Sequence, residues 1–202
     1  MKKTVPSGNR GRPLGFDPEE ALDRALQVFW RQGFEGTSLT DLTRAMGINR
    51  PSLYATFGNK DALFRKVLAR YASGPASYVK IALAEPTARK VVEKLLMNAT
   101  CDPTSAHSPR GCLVVQGALA CGKESAGVQR DLTAFREAGV AAIRERFIRA
   151  KREGDLPAES NPADLARYVG TLLHGLAVES ASGATSAELR RVARLALRSW
   201  PP

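Results

Sequence analysis

Residues 37–64 read TSLTDLTRAMGINRPSLYATFGNKDALF, and this stretch predicts a helix, a tight glycine turn and a second short helix. Thr37 and Ser38 offer hydroxyl caps, and Asp41, three positions after Ser38, completes a capping-box-like start. Leu39, Leu42 and Met46 then recur at helical spacing, so one face is apolar. Gly47 stops that helix, where the backbone must turn sharply. Ile48 is an apolar plug, Asn49 a second cap, and Pro51 falls in a first turn where a missing N–H costs nothing. Leu53 and Phe57, four apart, point inward and leave Arg50, Ser52, Tyr54, Ala55 and Thr56 to face out or flank. A helix so short and so polar outside supports a core poorly. It suits the DNA major groove, where the second helix of a helix-turn-helix lies.

Charge agrees with that placement. The 202-residue chain carries a formal net charge of +10. Residues 1–16 hold Lys2, Lys3, Arg10 and Arg12 without an acid, and residues 42–60 hold Arg44, Arg50 and Lys60, again without one. These acid-free stretches flank and include the helix-turn-helix, as a phosphate-facing surface requires. Arg10-Gly11-Arg12-Pro13 is similar to the AT-hook, which threads arginine into a narrow A·T-rich minor groove. The same tetrapeptide reads equally as part of a solubilising basic tail.

Several classes fall away. No apolar run of about eighteen residues occurs, so no membrane span is expected, and the basic N-terminus has no apolar segment of a secretory signal. A cytoplasmic location is the expectation. Cys101, Cys112 and Cys121 are odd in number and lack a C-x-x-C pair, which argues against a disulfide framework or a zinc site. Only two histidines occur, His107 and His174, and no triad order, H-E-x-x-H or phosphate loop stands out. Neither an enzyme nor a cofactor or metal is expected.

The whole chain reads as all-α, since Val, Ile and Thr never alternate over a strand's length. Asp17-Pro18-Glu19-Glu20 starts a helix whose Ala21, Leu22, Ala25, Leu26, Phe29 and Trp30 form one stripe up to Gly33. Lys60 and Asp61 open another, ending or kinking near Gly74-Pro75. Further helices are expected over residues 87–99, 110–120, 125–153, 162–182 and 186–199. About nine helices result. They divide into a basic arm (1–16), a three-helix DNA-binding unit (17–62) and a helical bundle (63–202), to which the family resemblance below assigns effector binding and dimerisation.

Gly33-Phe34-Glu35-Gly36-Thr37-Ser38, Leu42, Ala45-Met46-Gly47-Ile48, Ser52-Leu53-Tyr54-Ala55-Thr56-Phe57 and Asn59-Lys60-Asp61-Ala62-Leu63 together resemble the TetR family of bacterial transcriptional regulators, over about residues 17–70. The resemblance implies a homodimeric DNA-binding protein, usually a repressor, released from its operator by a small molecule in the C-terminal domain. It puts Thr37 and Ser38 against phosphates, Tyr54 and Lys60 on the backbone, and Arg50, Ser52, Ala55 and Thr56 nearest the base edges, with Arg44 and Asn49 on the same basic surface. Many relatives carry an aromatic residue and a histidine where this chain has Ala55 and Thr56, so no relative's operator transfers. A member that organises DNA or activates transcription is the rival within the class.

For the effector, the expected anchors are Gln116, Tyr78, Phe135 and His174 in a mostly apolar pocket. The three cysteines also admit oxidation or electrophile modification as the signal, against simple core packing. Leu165, Leu172, Leu176, Leu189, Val192 and Leu197, on the last two helices, are the expected dimer contacts, with Gly170 and Gly175 permitting close approach. Alternatively those helices close the chain's own bundle.

Overall fold

Helix α1 (Pro18–Gln32) begins where Asp17 accepts a hydrogen bond from the Glu19 N–H at 2.8 Å. It is the first of ten α-helices in a computed structural model that describes residues 15–101, 109–118 and 121–201. Arg10, Arg12 and His107 lie outside the described residues. Next come α2 (Leu39–Met46), α3 (Arg50–Phe57) and α4 (Lys60–Ser73), as the capping pattern predicts. Ser38 and Asp41 close a reciprocal capping box, while Asn49 and Asn59 accept from the backbone of Ser52 and Ala62 at 2.8 Å. Gly47 turns the chain in the left-handed region (φ +69°), a conformation that glycine adopts without strain.

α5 (Tyr78–Leu83) was not expected. It has six residues and no side-chain cap, so neither a stripe nor a start signal announces it. α6 (Ala88–Ala99) follows, capped by Thr87. The helix expected over 110–120 shrinks to α7 (Leu113–Gln116), because Gly111 adopts φ +82° and Cys112 is extended. Cys112 and Cys121 therefore do not share one continuous helix. A 3₁₀ turn (Lys123–Ser125) leads into α8 (Ala126–Arg152), then α9 (Pro162–Ala181) and α10 (Ser186–Arg198).

Two apolar cores organise these helices. The first joins α1–α4 with Leu113, Val114, Ala118, Val128 and Leu132. At its centre, Phe29 and Phe34 lie parallel and Phe64 meets both edge-on, with ring centroids 5.0–6.1 Å apart, a favourable aromatic arrangement. The second joins α5, α6, the C-terminal half of α8, α9 and α10, with Phe147 against Trp200. The 27-residue α8 runs through both, a span of about 40 Å. The core beneath α2 and α3 is thus not confined to residues 17–62.

Candidate nucleic-acid interface

α3 rests on the first core through Leu53 and Phe57, and its other side is open. Arg44, Asn49, Arg50, Tyr54 and Ala55 are exposed there, and Ser52 is half-buried. Asp41, the nearest acid upstream, is held by the Ser38 N–H and hydroxyl at 3.0 and 2.6 Å. Those bonds keep its carboxyl below the usual range. The surface is cationic and pre-shaped, which suits a phosphate backbone with one arginine set at the helix start.

Three expected contacts are placed otherwise. Thr37 is 1% exposed, and its hydroxyl donates to the Gly33 carbonyl at 2.6 Å, so of the two only Ser38, the residue that caps α2, is exposed. The Thr56 hydroxyl is buried without a hydrogen-bond partner among the described residues, and Thr56 lines a groove with Pro18, Leu22 and Lys66. Lys60 is half-buried, its ammonium 4.3 Å from the centre of the Phe34 ring. Burial lowers its pKa, opposed by Glu35 and Asp61. One exposed contributor was not foreseen: Thr40 accepts a hydrogen bond from Arg50 at 3.1 Å. Its signal in the sequence is only a hydroxyl on the polar face of α2.

On the effector side, α7 packs against α1, α8 and α9. Tyr71 of α4 donates its hydroxyl to the Cys112 sulfur at 3.2 Å. Burial, then Cys112, pushes the Tyr71 phenol well up, and Tyr78 is pushed up to about 12 by burial first. Both are neutral phenols at ordinary pH. Among the described residues the buried Gln116 side-chain oxygen has no hydrogen-bond partner, a costly state for a polar atom. A methyl group at Gly111 would strike that amide and the Ala177 carbonyl. Phe135 packs on the first core, Tyr78 on the second, and His174 is half-buried beside Arg136, Arg167 and Glu137. The four expected anchors are thus spread over α7 itself and both cores rather than gathered in one.

The expected dimer stripe divides. Leu176, Leu189 and Leu197 are buried in the chain's own second core, with Leu165 and Leu172 packed against it. Val192 is exposed, and with it Leu195 (64%), Tyr168 and Val178. Tyr168, Thr171, Gly175 and Val178 share one outer face of α9, and Tyr168 meets Ser199 beyond α10 at 3.4 Å. Gly170 permits close approach within the chain, since a Cβ there would lie 2.8 Å from Val140; Gly175 has open space.

An open, acid-free second helix on a capped helix-turn-helix defines a DNA-binding protein. Comparisons agree. Residues 21–67 match the model of bacterial regulatory proteins of the tetR family. The chain is 32% identical over 198 residues to the HTH-type transcriptional repressor ComR of Escherichia coli, covering 96% of this chain and 93% of that protein. It is similar to a cysteine mutant of the TetR family transcriptional regulator CifR, solved with 26-base-pair double-strand operator DNA. There the TM-score is 0.90 at 43% identity, covering 94% of this chain and all of that one. A TetR-family regulator from Streptomyces coelicolor shares the fold at 18% identity and TM-score 0.72. The chain belongs to the TetR family of bacterial regulatory proteins. It is a DNA-binding transcriptional repressor, not an enzyme. Among the described residues, no helix is long and apolar enough to cross a membrane.

Proposed function

We propose that the chain acts as a homodimer in the bacterial cytoplasm, gripping a palindromic operator and letting go when a small molecule enters the body around α7. Residues 17–62 read DNA, residues 63–202 sense and dimerise, and the basic arm with Arg10 and Arg12 follows the minor groove. The observation that carries this reading is the pairing of two open surfaces on one chain: the cationic side of α3 and the apolar outer faces of α9 and α10. Two copies joined through the second surface present two copies of the first, and two-fold symmetry then asks for a palindrome.

α4 supports the release step. It is tied to α1 by Arg70, which meets both Asp23 oxygens at 2.7 Å, and to α8 by Arg65, 2.7 Å from Asp131. It also reaches Cys112 through Tyr71. A molecule that pairs with the Gln116 oxygen and displaces Tyr71 acts on the helix that carries the reading head. Weakening operator binding by a hundredfold requires about 3 kcal/mol of coupling, within the usual range.

The test is selection of duplexes from a random pool at fixed salt, with light scattering on the same preparation. An enriched palindrome and a dimer mass are expected. A non-palindromic site or a monomer would overturn the dimer reading. Repression unaltered by any small molecule, with operator binding intact, favours a constitutive organiser of DNA.

A further inference from the structure

The base-reading assignment of Arg50 rests on the placement of α3, and the structure adds a residue that controls it. Asn49 and Pro51 fix the backbone of Arg50, because one caps the helix and the other pre-sets its first turn. Only the long side chain stays free to wander, and a guanidinium on four rotatable bonds loses much of its freedom when it docks on a base. In this chain the guanidinium is already tethered. Arg50 Nη2 donates to Thr40 Oγ1 at 3.1 Å, across the turn from α3 to α2.

No carboxylate competes for it. Among the described residues Arg50 is in no ion pair, and Asp41 is occupied by its capping box. The tether also leaves the reading edge intact. Arginine recognises guanine with two parallel N–H groups. Whichever Nη2 hydrogen goes to Thr40, a two-pronged edge remains, either Nη1 with Nη2 or Nε with Nη2. Thr40 itself is exposed, and among the described residues its hydroxyl meets only Arg50, so its placement serves the arginine rather than the core.

We propose that Thr40 is a positioning residue for operator specificity: it holds Arg50 in the orientation that reads one base pair in each half-site. A valine is the fitting probe, since it keeps the shape and removes the hydroxyl, and a serine restores the hydroxyl.

Random-pool selections would be run in parallel on the full chain, Arg50→Ala, Thr40→Val and Thr40→Ser, with thermal midpoints measured for each. The expected result is that Arg50→Ala erases the preference at one base pair per half-site. Thr40→Val should blur that same base pair by about threefold or more, a part of the discrimination a bidentate contact provides. Thr40→Ser should keep it, and the midpoints should stay level. If Arg50→Ala erases the preference while Thr40→Val leaves it sharp, the tether is refuted and the arginine assignment survives. If Thr40→Val weakens every duplex alike with its pattern intact, Thr40 is a phosphate contact and the proposal fails. If Arg50→Ala changes nothing, the reading of Arg50 itself falls. A direct check needs no operator. Nitrogen NMR of the unbound protein should show slowed rotation of the Arg50 guanidinium that Thr40→Val releases; free rotation in the unaltered chain would overturn the tether.

Discussion

Phe34 donates its backbone N–H to the carbonyl of Gly117 at 2.8 Å, which joins the loop after α1 to the end of α7. The next residue repeats the connection: a Glu35 side-chain oxygen accepts from the Gly122 N–H at 3.0 Å. Glu35 also bonds the Ser125 hydroxyl, and the two bonds hold its carboxyl below the ordinary value of 4.5. A group so shifted adds stability above its ordinary pKa and loses it as pH falls through the lower, folded value. Glu35→Ala should therefore speed amide exchange at Gly122 near neutral pH. The unaltered protein should show the same loosening only in acid, below pH 4.5. Equal exchange in both proteins near neutrality would dissolve this link.

Gly47 invites a backbone test. Alanine at φ +69° meets the left-handed penalty of about 1 kcal/mol, although the space beside it is open enough for a Cβ, with Arg24 at 3.4 Å. Gly47→Ala should lower stability by about that amount in a urea titration. It should also lower operator affinity, since the turn sets α3 against α2. Unchanged stability would mean the turn relaxes at no cost.

The divided stripe on the last two helices separates folding from association. Leu176 is 4% exposed and Leu195 is 64% exposed. Leu176→Glu should unfold the chain, because burying an unpaired carboxylate is costly. Leu195→Glu should leave the circular dichroism spectrum intact and convert dimer to monomer by light scattering. A stable dimer with Leu195→Glu would move the interface elsewhere.

His174 supplies a pH signature. Burial first, then Arg136 and Arg167, lowers its pKa below the ordinary 6.5, against a contrary pull from Glu137. The unfolded chain then binds that proton more readily, so stability is full above about pH 6.5. It falls as pH drops through the depressed value. His174→Gln should lose less of its urea midpoint between pH 7.5 and 5.5 than the unaltered chain. Parallel losses would show that His174 does not titrate in this range.

Capping chemistry made the reading head legible. Ser38 with Asp41, Asn49 and Asp17 each announced a helix start that the structure places at the same residue, and Lys60 opens α4 as read, although its cap Asn59 was not singled out. Local hydrogen bonds leave such marks because donor and acceptor lie within three residues. Contacts across the fold leave none. The burial of the Thr56 hydroxyl and the ring under Lys60 depend on how α1 and α4 close over the short helices. The periodicity of α10 could show an apolar face, but it could not say that Leu189 and Leu197 turn inward while Val192 and Leu195 turn out. That choice is made by where α6 and α9 lie. The tether from Thr40 to Arg50 spans ten residues and has no periodic signature at all.

The first core has a consequence for anyone who would exchange reading heads between relatives. Phe34 and Phe64 pack in the same core as Leu113, Val128 and Leu132, so a graft cut at the end of α3 or of α4 separates partners that shield one another from water. A chimera built that way should be sticky and poorly folded. One that carries α7 and the opening turns of α8 along with the head keeps its apolar partners together. The interchangeable module in this chain is discontinuous: two segments far apart in sequence that must be inherited as a pair.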